Sequence, residues 1–317
     1  MLRVVIVLFD GVQTLDATGP AEVFAVARSG DAPHYQVLYA STGGGPRTTS
    51  SGLVVETRDL QRVRPLPSDT LIVAGADEGP LTRAAMDGVL LRWLVRASAI
   101  VQRMASVCGG AFLLASAGLL DGKRATTHWR GCARLAAMFP HVRVDANAIY
   151  VCDGRFWTSA GVTTGIDMAL GMVEHDLGRG VADGIAADLV LYVRRPGFQA
   201  QFSSALIAQT SGSGQLAQVL SWLRDHLDHA SVEQFAKRAA LSERTLHRRC
   251  HEELGTTPAK LIARLRTEHA RMLLTTTTLP AKIVAARCGF GTAARMSRVF
   301  VRELGLAPRE YRLLHTG

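Results

Sequence analysis

Three residues supply the parts of one chemistry if the fold brings them together: Asp16 in FDGVQTLDATGPAEVF, Cys108 in MASVCGGAFLLASAGLL and His128 in KRATTHWRG. A thiol, a carboxylate and an imidazole are the kit for thiolate nucleophile chemistry, in which sulfur attacks and a neighbouring group moves its proton. Cys108 stands between a short apolar run and two glycines that open a helical pattern. A thiol at such a strand-to-helix turn sits where a helix N-terminus favours the thiolate. Gly109 and Gly110 keep the turn open and leave backbone N–H groups able to hold an anion or a carbonyl oxygen. A small buried core cysteine in a packing elbow has the same local sequence, so spacing alone leaves both readings open.

The elements that must position these residues alternate between strand and helix from residue 1 to about 195. RVVIVLFDG, YQVLYAST, DTLIVAGADEG and IVQRMASVC are apolar runs without polar alternation, and PAEVFAVARSG and DGVLLRWLVRASA have helical spacing. Such runs predict strands covered on both faces, a parallel sheet with helices on either side. Further on, HVRVDANAIYVCDGRFWTSAG reads as strand pieces, and VTTGIDMALGMVEHDLG as a helix capped near Thr163 or Thr164. A ligand site is then expected at the carboxyl ends of the strands, where Asp16, Cys108 and His128 converge.

The chain has 317 residues, 48% hydrophobic and 20% charged, which suits two globular domains rather than a disordered protein. Before Asp10 the apolar run is only VVIVLF, too short for a signal-peptide core or a bilayer span. The five cysteines are odd in number and lack paired ligand spacing, so neither a disulfide framework nor a metal site is predicted, and the compartment reads as reducing cytoplasm. Cys132 and Cys152 read as core or helix-face residues, His34, His141 and His175 as surface, and His226 and His229 as flanking a helix end.

Charge divides the chain at TSGSG, Thr210 to Gly214. Residues 1–214 hold 19 Lys and Arg against 18 Asp and Glu, whereas residues 215–317 hold 17 against 9. A basic module joined to a neutral one points to a polyanionic partner, since fixed cations release counterions from a phosphate backbone.

The basic third is helical and repeats itself. In LSERTLHRRCHEELGTTPAKL, Ser242 is an N-cap, Leu246, Cys250 and Leu254 share a face, and Gly255 is the stop. In GTAARMSRVFVRELGLAPREY, Thr292, Met296, Phe300, Leu304, Gly305 and Pro308 repeat that plan. Each copy follows a shorter helix and a tight turn, SVEQFAKRAA in one and PAKIVAARCGF with Gly289 in the other, the grammar of helix-turn-helix. Between them PAKLIARLRTEHARMLL predicts a connecting helix of roughly 26 Å at about 1.5 Å per residue, a spacer for two reading helices about one DNA turn apart.

On these motifs residues 215–317 resemble the AraC family of transcription regulators, whose DNA-binding unit is two helix-turn-helix motifs, here about 231–254 and 280–304. The resemblance implies base-facing positions Arg244, His247 and Arg248 in the first reading helix and Ala293, Ala294, Arg295 and Arg298 in the second. The first set also lies opposite the Leu246 stripe, and arginine can bond guanine in two places. The alanines offer only methyl contacts, which leaves the second helix to grip mainly phosphates.

Residues 1–195 resemble the PfpI-like branch of the class I glutamine-amidotransferase-like superfamily, on FDGVQTLDATGPAEVF, ASVCGGAFLLASAGLLDGKRATTHW and TSAGVTTGIDMALGMVEHDLG. The implied fold is a flavodoxin-like parallel sheet with flanking helices, followed by the all-α double helix-turn-helix domain. Isocyanide hydratase is similar by this pattern, and would make Cys108 the nucleophile and Asp16 its proton partner, although Gly109 stands where a hydroxyl residue is common. The joint architecture resembles GlxA-like regulators, with RRPGFQAQFSS as the run into a linker at 196–214. It implies a non-enzymatic ligand-sensing and dimerising domain in which Asp16, Cys108, Gly109, Gly110 and His128 line the pocket. The expected partners are double-stranded promoter DNA, a small-molecule effector, a second copy of the chain and RNA polymerase, with no cofactor, metal or membrane. The alternative is a cysteine-dependent hydrolase or hydratase fused to a DNA-binding module.

Overall fold

The computed structural model describes residues 1–191, 197, 219–220, 222–223, 226–254, 256–304 and 306–315. It divides into two compact units, residues 1–201 and 202–317. The expected linker at 196–214, apart from Gly197, and most of RRPGFQAQFSS lie outside the described residues, as do Gly255 and Gly305.

The first unit is built on an eight-stranded sheet. In chain order its elements are β1 (Leu2–Val7), α1 (Thr14–Val26), the short pair β2 (Arg28–Ser29) and β3 (Ala32–Pro33), β4 (Tyr35–Ser41), β5 (Gly45–Thr48), β6 (Val54–Asp59), β7 (Thr70–Val73), α2 (Glu78–Met86), α3 (Gly88–Ser98) and β8 (Arg103–Val107). There follow α4 (Gly110–Ser116), β9 (Arg124–Ala125), α5 (Trp129–Met138), β10 (Arg143–Val144), β11 (Tyr150–Asp153), β12 (Phe156–Ser159), α6 (Thr164–Leu177) and α7 (Arg179–Asp188). The strand order is β11-β12-β8-β7-β1-β4-β6-β5. The six strands from β12 to β6 run parallel, and only the outermost pairs, β11 with β12 and β5 with β6, are antiparallel.

The central strands are apolar on both faces because both faces are covered. Val4, Val5, Ile6 and Val7 are fully buried and divide alternately between two cores. One core packs β1 side chains with Phe24 of α1, Met168 and Met172 of α6 and Ile185 of α7; the other packs them with Leu94 of α3, Leu113 of α4 and Leu135 of α5. The sequence reading differs at the margins. The first helix begins at Thr14, so Pro20 lies inside it, where a missing N–H and its ring cost the helix a bond. Tertiary packing outweighs that cost, since Ala17, Pro20 and Phe24 are all buried. The four-residue edge strand β5 and its neighbour β6 are largely unburied, α2 buries only Ala84, and α7 is separated from α6 by Gly178 alone, so none of them leaves a strong apolar period.

The second unit contains a first scanning helix Val232–Arg238, a first reading helix Glu243–Leu254, a connecting helix Pro258–Thr276, a second scanning helix Ala281–Arg287, a second reading helix Ala293–Leu304 and a closing helix Pro308–His315. Leu246 and Cys250 of the first reading helix and Met296 and Phe300 of the second are fully buried, the repeated stripe read from sequence. The caps repeat as well. Thr245 N–H donates to Ser242 Oγ at 3.2 Å, and Arg295 N–H donates to Thr292 Oγ1 at 3.2 Å. The connecting helix has 19 residues, about 28 Å at 1.5 Å each, and Thr257 caps it with Pro258 in the first turn. The described part of the segment from Val219 to Ala230 belongs to the same core: Leu220, Leu223 and Leu227 are buried with Phe235, Leu246 and Leu261.

Candidate functional site

The carboxyl ends of four neighbouring strands, β1, β7, β8 and β12, meet at Cys108. The residue has φ 54°, the left-handed region that few non-glycine residues adopt. It is held there from three sides. Its N–H donates to Ser159 O at 3.0 Å, its carbonyl accepts from Thr127 Oγ1 at 2.6 Å, and its side chain lies against Gly161. At Gly161 (φ 115°) a β-carbon would come within 2.8 Å of the Cys108 sulfur, so glycine is required by backbone conformation and by space together. Val162 beside it also has positive φ, 50°, which marks the loop after β12 as a second strained segment at the site.

Asp16 sits in the first turn of α1, fully buried beneath Cys108. Its carboxylate accepts from Val162 N–H at 2.8 Å and Gly75 N–H at 3.2 Å, and a third hydrogen bond joins it to the Cys108 thiol. Burial pushes its pKa up to about 6, against the lowering effect of those three bonds. The Cys108 thiol is pushed up to about 12, first by burial and then by the Asp16 charge. Of the two readings that the spacing left open, this direction favours a protonated thiol over an activated thiolate. The helix that follows, α4, has only seven residues, and the Gly109 N–H alone favours the anion against a dry setting and a carboxylate.

Above the thiol opens a cleft of about 590 Å³ whose lining includes Cys108, Gly109, Thr127, His128 and Val162. Its walls are Leu81, Phe112 and Met138, and its rim carries Asp77, Glu78, Arg130 and Arg134. Arg134 Nη1 and Glu78 Oε1 pair across the rim at 2.5 Å. His128 is the N-cap residue of α5 and its ring lies tilted at 36° to that of Trp129, with burial holding its imidazole below the usual histidine range. Among the described residues it makes no hydrogen bond to Cys108 or Asp16. The three expected partners are therefore a hydrogen-bonded pair, buried Asp16 and Cys108 at the cleft floor, and His128 elsewhere in the cleft lining.

Asp16 and Gly110, expected to line the pocket, lie behind its wall. A β-carbon on Gly110 would strike Val73 O at 2.2 Å, so that glycine serves the packing of α4 on β7. A side chain on Gly109 would meet Leu81 Cδ2 at 2.9 Å and Ala76 O at 3.1 Å, which accounts for glycine at this position. The sequence reading missed Thr127, Val162 and the α2 wall; the first two lie inside motifs already singled out, while nothing periodic marks the third.

In the second unit Arg244, His247 and Arg248 are exposed on the first reading helix, and Ala294, Arg295 and Arg298 on the second, with Ala293 half-buried at its start. Arg248 lies 4.0 Å from Glu252 one turn on. Two arginines that sequence reasoning did not single out hold the frame. Arg266 of the connecting helix donates to Leu227 O at 3.0 Å and Ala230 O at 2.8 Å; Arg312 of the closing helix donates to Leu274 O at 3.0 Å and Leu279 O at 2.6 Å. Gly289 (φ 72°) turns between the second scanning and reading helices, and a β-carbon there would lie 2.1 Å from Leu227 O. Among the described residues no group of three His, Cys, Asp or Glu is arranged to hold a metal, and no helix is long and apolar enough to cross a membrane.

A parallel α/β unit with a cysteine elbow, joined to a paired helix-turn-helix unit, defines the class. The chain belongs to the DJ-1/PfpI family, whose model matches residues 2–175, and a helix-turn-helix domain model matches residues 235–313. Over 306 residues it is 28% identical to the HTH-type transcriptional regulator CdhR of Pseudomonas aeruginosa, covering 96% of this chain and 90% of that protein. It is 30% identical over 285 residues to the HTH-type transcriptional regulator GlxA of Rhizobium meliloti, covering 88% and 86%. An isonitrile hydratase of Pseudomonas putida is 33% identical over 177 residues, 56% of this chain and 73% of the enzyme. With both units aligned to regulators, the protein is a transcriptional regulator of the AraC/GlxA type with a helix-turn-helix DNA-binding domain.

Proposed function

We propose that a small effector binds in the Cys108 cleft and sets how tightly the paired helix-turn-helix unit holds its operator. The observation that carries this reading is the place of the thiol, at the floor of a cleft of about 590 Å³ shared with Thr127, His128 and a charged rim. Burial and the hydrogen-bonded Asp16 carboxylate, which push the thiol up to about 12, favour recognition over nucleophilic attack. His128, Thr127 and the charged rim then orient the ligand, while Asp16 acts through the thiol. Control requires only that the effector bind two states of the protein unequally. Likeness to an isonitrile hydratase supports a second reading, turnover at this cleft, and the raised thiol pKa and Leu81 beside Gly109 weigh against it.

On the DNA side, Arg244, His247 and Arg248 read base edges, and Arg295 and Arg298 grip mainly backbone phosphates beside the small Ala293 and Ala294. A homodimer through the α/β unit fits an operator of paired sites. The test is sequence-selective capture of genomic fragments by the full chain, followed by a metabolite screen for changed affinity toward the captured fragment. Selective capture that a metabolite alters is the expected result, with the capture itself, though not the full metabolite response, retained in Cys108→Ala. Absence of selective capture, or substrate consumption lost in Cys108→Ala, overturns the proposal.

A further inference from the structure

A second concavity of about 480 Å³ lies at the far edge of the sheet, sharing no lining residue with the Cys108 cleft. Leu38 of β4 and Val63 give it an apolar floor; Arg3, Arg58 and Arg62 reach it from β1, β6 and the turn Leu60–Arg62; and Gly43, Gly44 and Gly45 close one end. We propose that this concavity binds a small phosphate-bearing molecule.

Charge accounting within the concavity supports this. Arg3 is fixed by Asp69, with Nε to Oδ1 at 3.1 Å and Nη2 to Oδ2 at 2.6 Å, and Nη2 also donates to Arg64 O at 2.6 Å. Its Nη1 has no partner among the described residues, so the guanidinium is held in place with donors to spare. Arg58 and Arg62 have no hydrogen bond or ion pair among the described residues, although they share one concavity. Asp59 is the only carboxylate in the lining, and its Oδ1 already accepts from Gly43 N–H at 3.2 Å and Gln61 N–H at 3.0 Å. Like charges gathered from three elements repel one another, and a phosphate offers them forked, charge-assisted bonds. Gly43 and Gly45 have positive φ, and a β-carbon on either would meet nothing within 4 Å, so bare backbone faces open space at the end of the concavity. The volume suits a phosphorylated metabolite, whose apolar part would rest on Leu38.

The experiment uses the full chain and pyrophosphate as probe, with inorganic phosphate in parallel, at constant ionic strength. The expected result is a thermal shift that saturates with pyrophosphate, weakened at least about tenfold in apparent affinity by Arg58→Gln with Arg62→Gln. The same shift should survive Arg295→Gln with Arg298→Gln, which separates this concavity from the DNA-facing helices. Should the first double variant prove poorly folded, Arg62→Glu alone must show the same loss. No saturable shift, or a shift that only the reading-helix variants abolish, overturns the proposal. So does a wild type blind to pyrophosphate whose operator affinity nevertheless falls on removing Arg58 and Arg62, since that assigns these arginines to DNA phosphates. The effector proposal stands or falls separately, on the Cys108 cleft.

Discussion

Asp16 and Cys108 form a hydrogen-bonded pair in which the thiol donates and the carboxylate accepts: burial and then the Asp16 charge push Cys108 up to about 12, whereas burial carries Asp16 up to about 6 against the lowering effect of its bond to the thiol. The direction of their coupling separates sensing from catalysis. Removing the Asp16 charge in Asp16→Asn takes away a neighbour that holds the thiol protonated, so Cys108 alkylation by iodoacetamide at pH 8 should be faster than in wild type. A catalytic carboxylate that withdraws the thiol proton would give the opposite result, slower alkylation in the variant. The other four cysteines, replaced by serine or alanine in the background, keep the readout on Cys108.

The same carboxylate makes stability depend on pH in an unusual sense. With its folded pKa raised from 3.8 to about 6, Asp16 holds its proton in the folded state over a range where the unfolded chain has released it. The folded state binds more protons there, so this group's contribution falls as pH rises from about 4 to about 6, by about 3 kcal/mol in all. Urea unfolding of wild type and Asp16→Asn at pH 4 and pH 7 should therefore show wild type losing ground to the variant at the higher pH. Equal differences at both pH values would mean that the carboxyl is not held in a dry site.

For DNA, the two reading helices should respond differently. Arg248→Ala should weaken specific binding by about 1–3 kcal/mol while leaving non-specific binding nearly unchanged. Arg298→Ala should weaken all sequences alike and reduce the slope of log affinity against log salt by about 0.9. Fluorescence anisotropy on an operator fragment and a scrambled one, across a salt series, measures both. The reverse pattern would move base reading to the second helix.

Ala240 ends the first scanning helix at φ 49°, exposed, where the second motif has Gly289 at φ 72°. A β-carbon in the left-handed region costs about 1–2 kcal/mol, part of which a more flexible unfolded chain takes back. Ala240→Gly is expected to raise stability by up to about 1 kcal/mol in denaturant titration, with DNA affinity unchanged. A loss of stability would show that the strain is relieved by contacts of the Ala240 methyl.

The sheet, the Cys108 elbow and the duplicated stripe were legible because each rests on local periodicity: Val4 to Val7, the apolar run before Cys108, and Leu246 and Cys250 against Met296 and Phe300. What sequence did not show depends on residues far apart in the chain. The thiol's pKa is set by burial under Gly161 and by Asp16, neither of which a strand-to-helix turn announces. Arg266 and Arg312 bond to backbone carbonyls, which every residue possesses, so no pairing of residue types betrays them. The nine-residue α2 buries only Ala84 and so carries no apolar stripe, and with it the crowding beside Gly109 was hidden.

The turn at Gly289, pressed against the carbonyl of Leu227 and bounded by Arg266, has a consequence for how such modules diversify. The two readers are not interchangeable cassettes. A chimera that imports a second motif from another regulator must bring a residue without a side chain at this corner and must meet an arginine from the connecting helix. Otherwise the graft will wedge the opening segment of the first motif out of its own core.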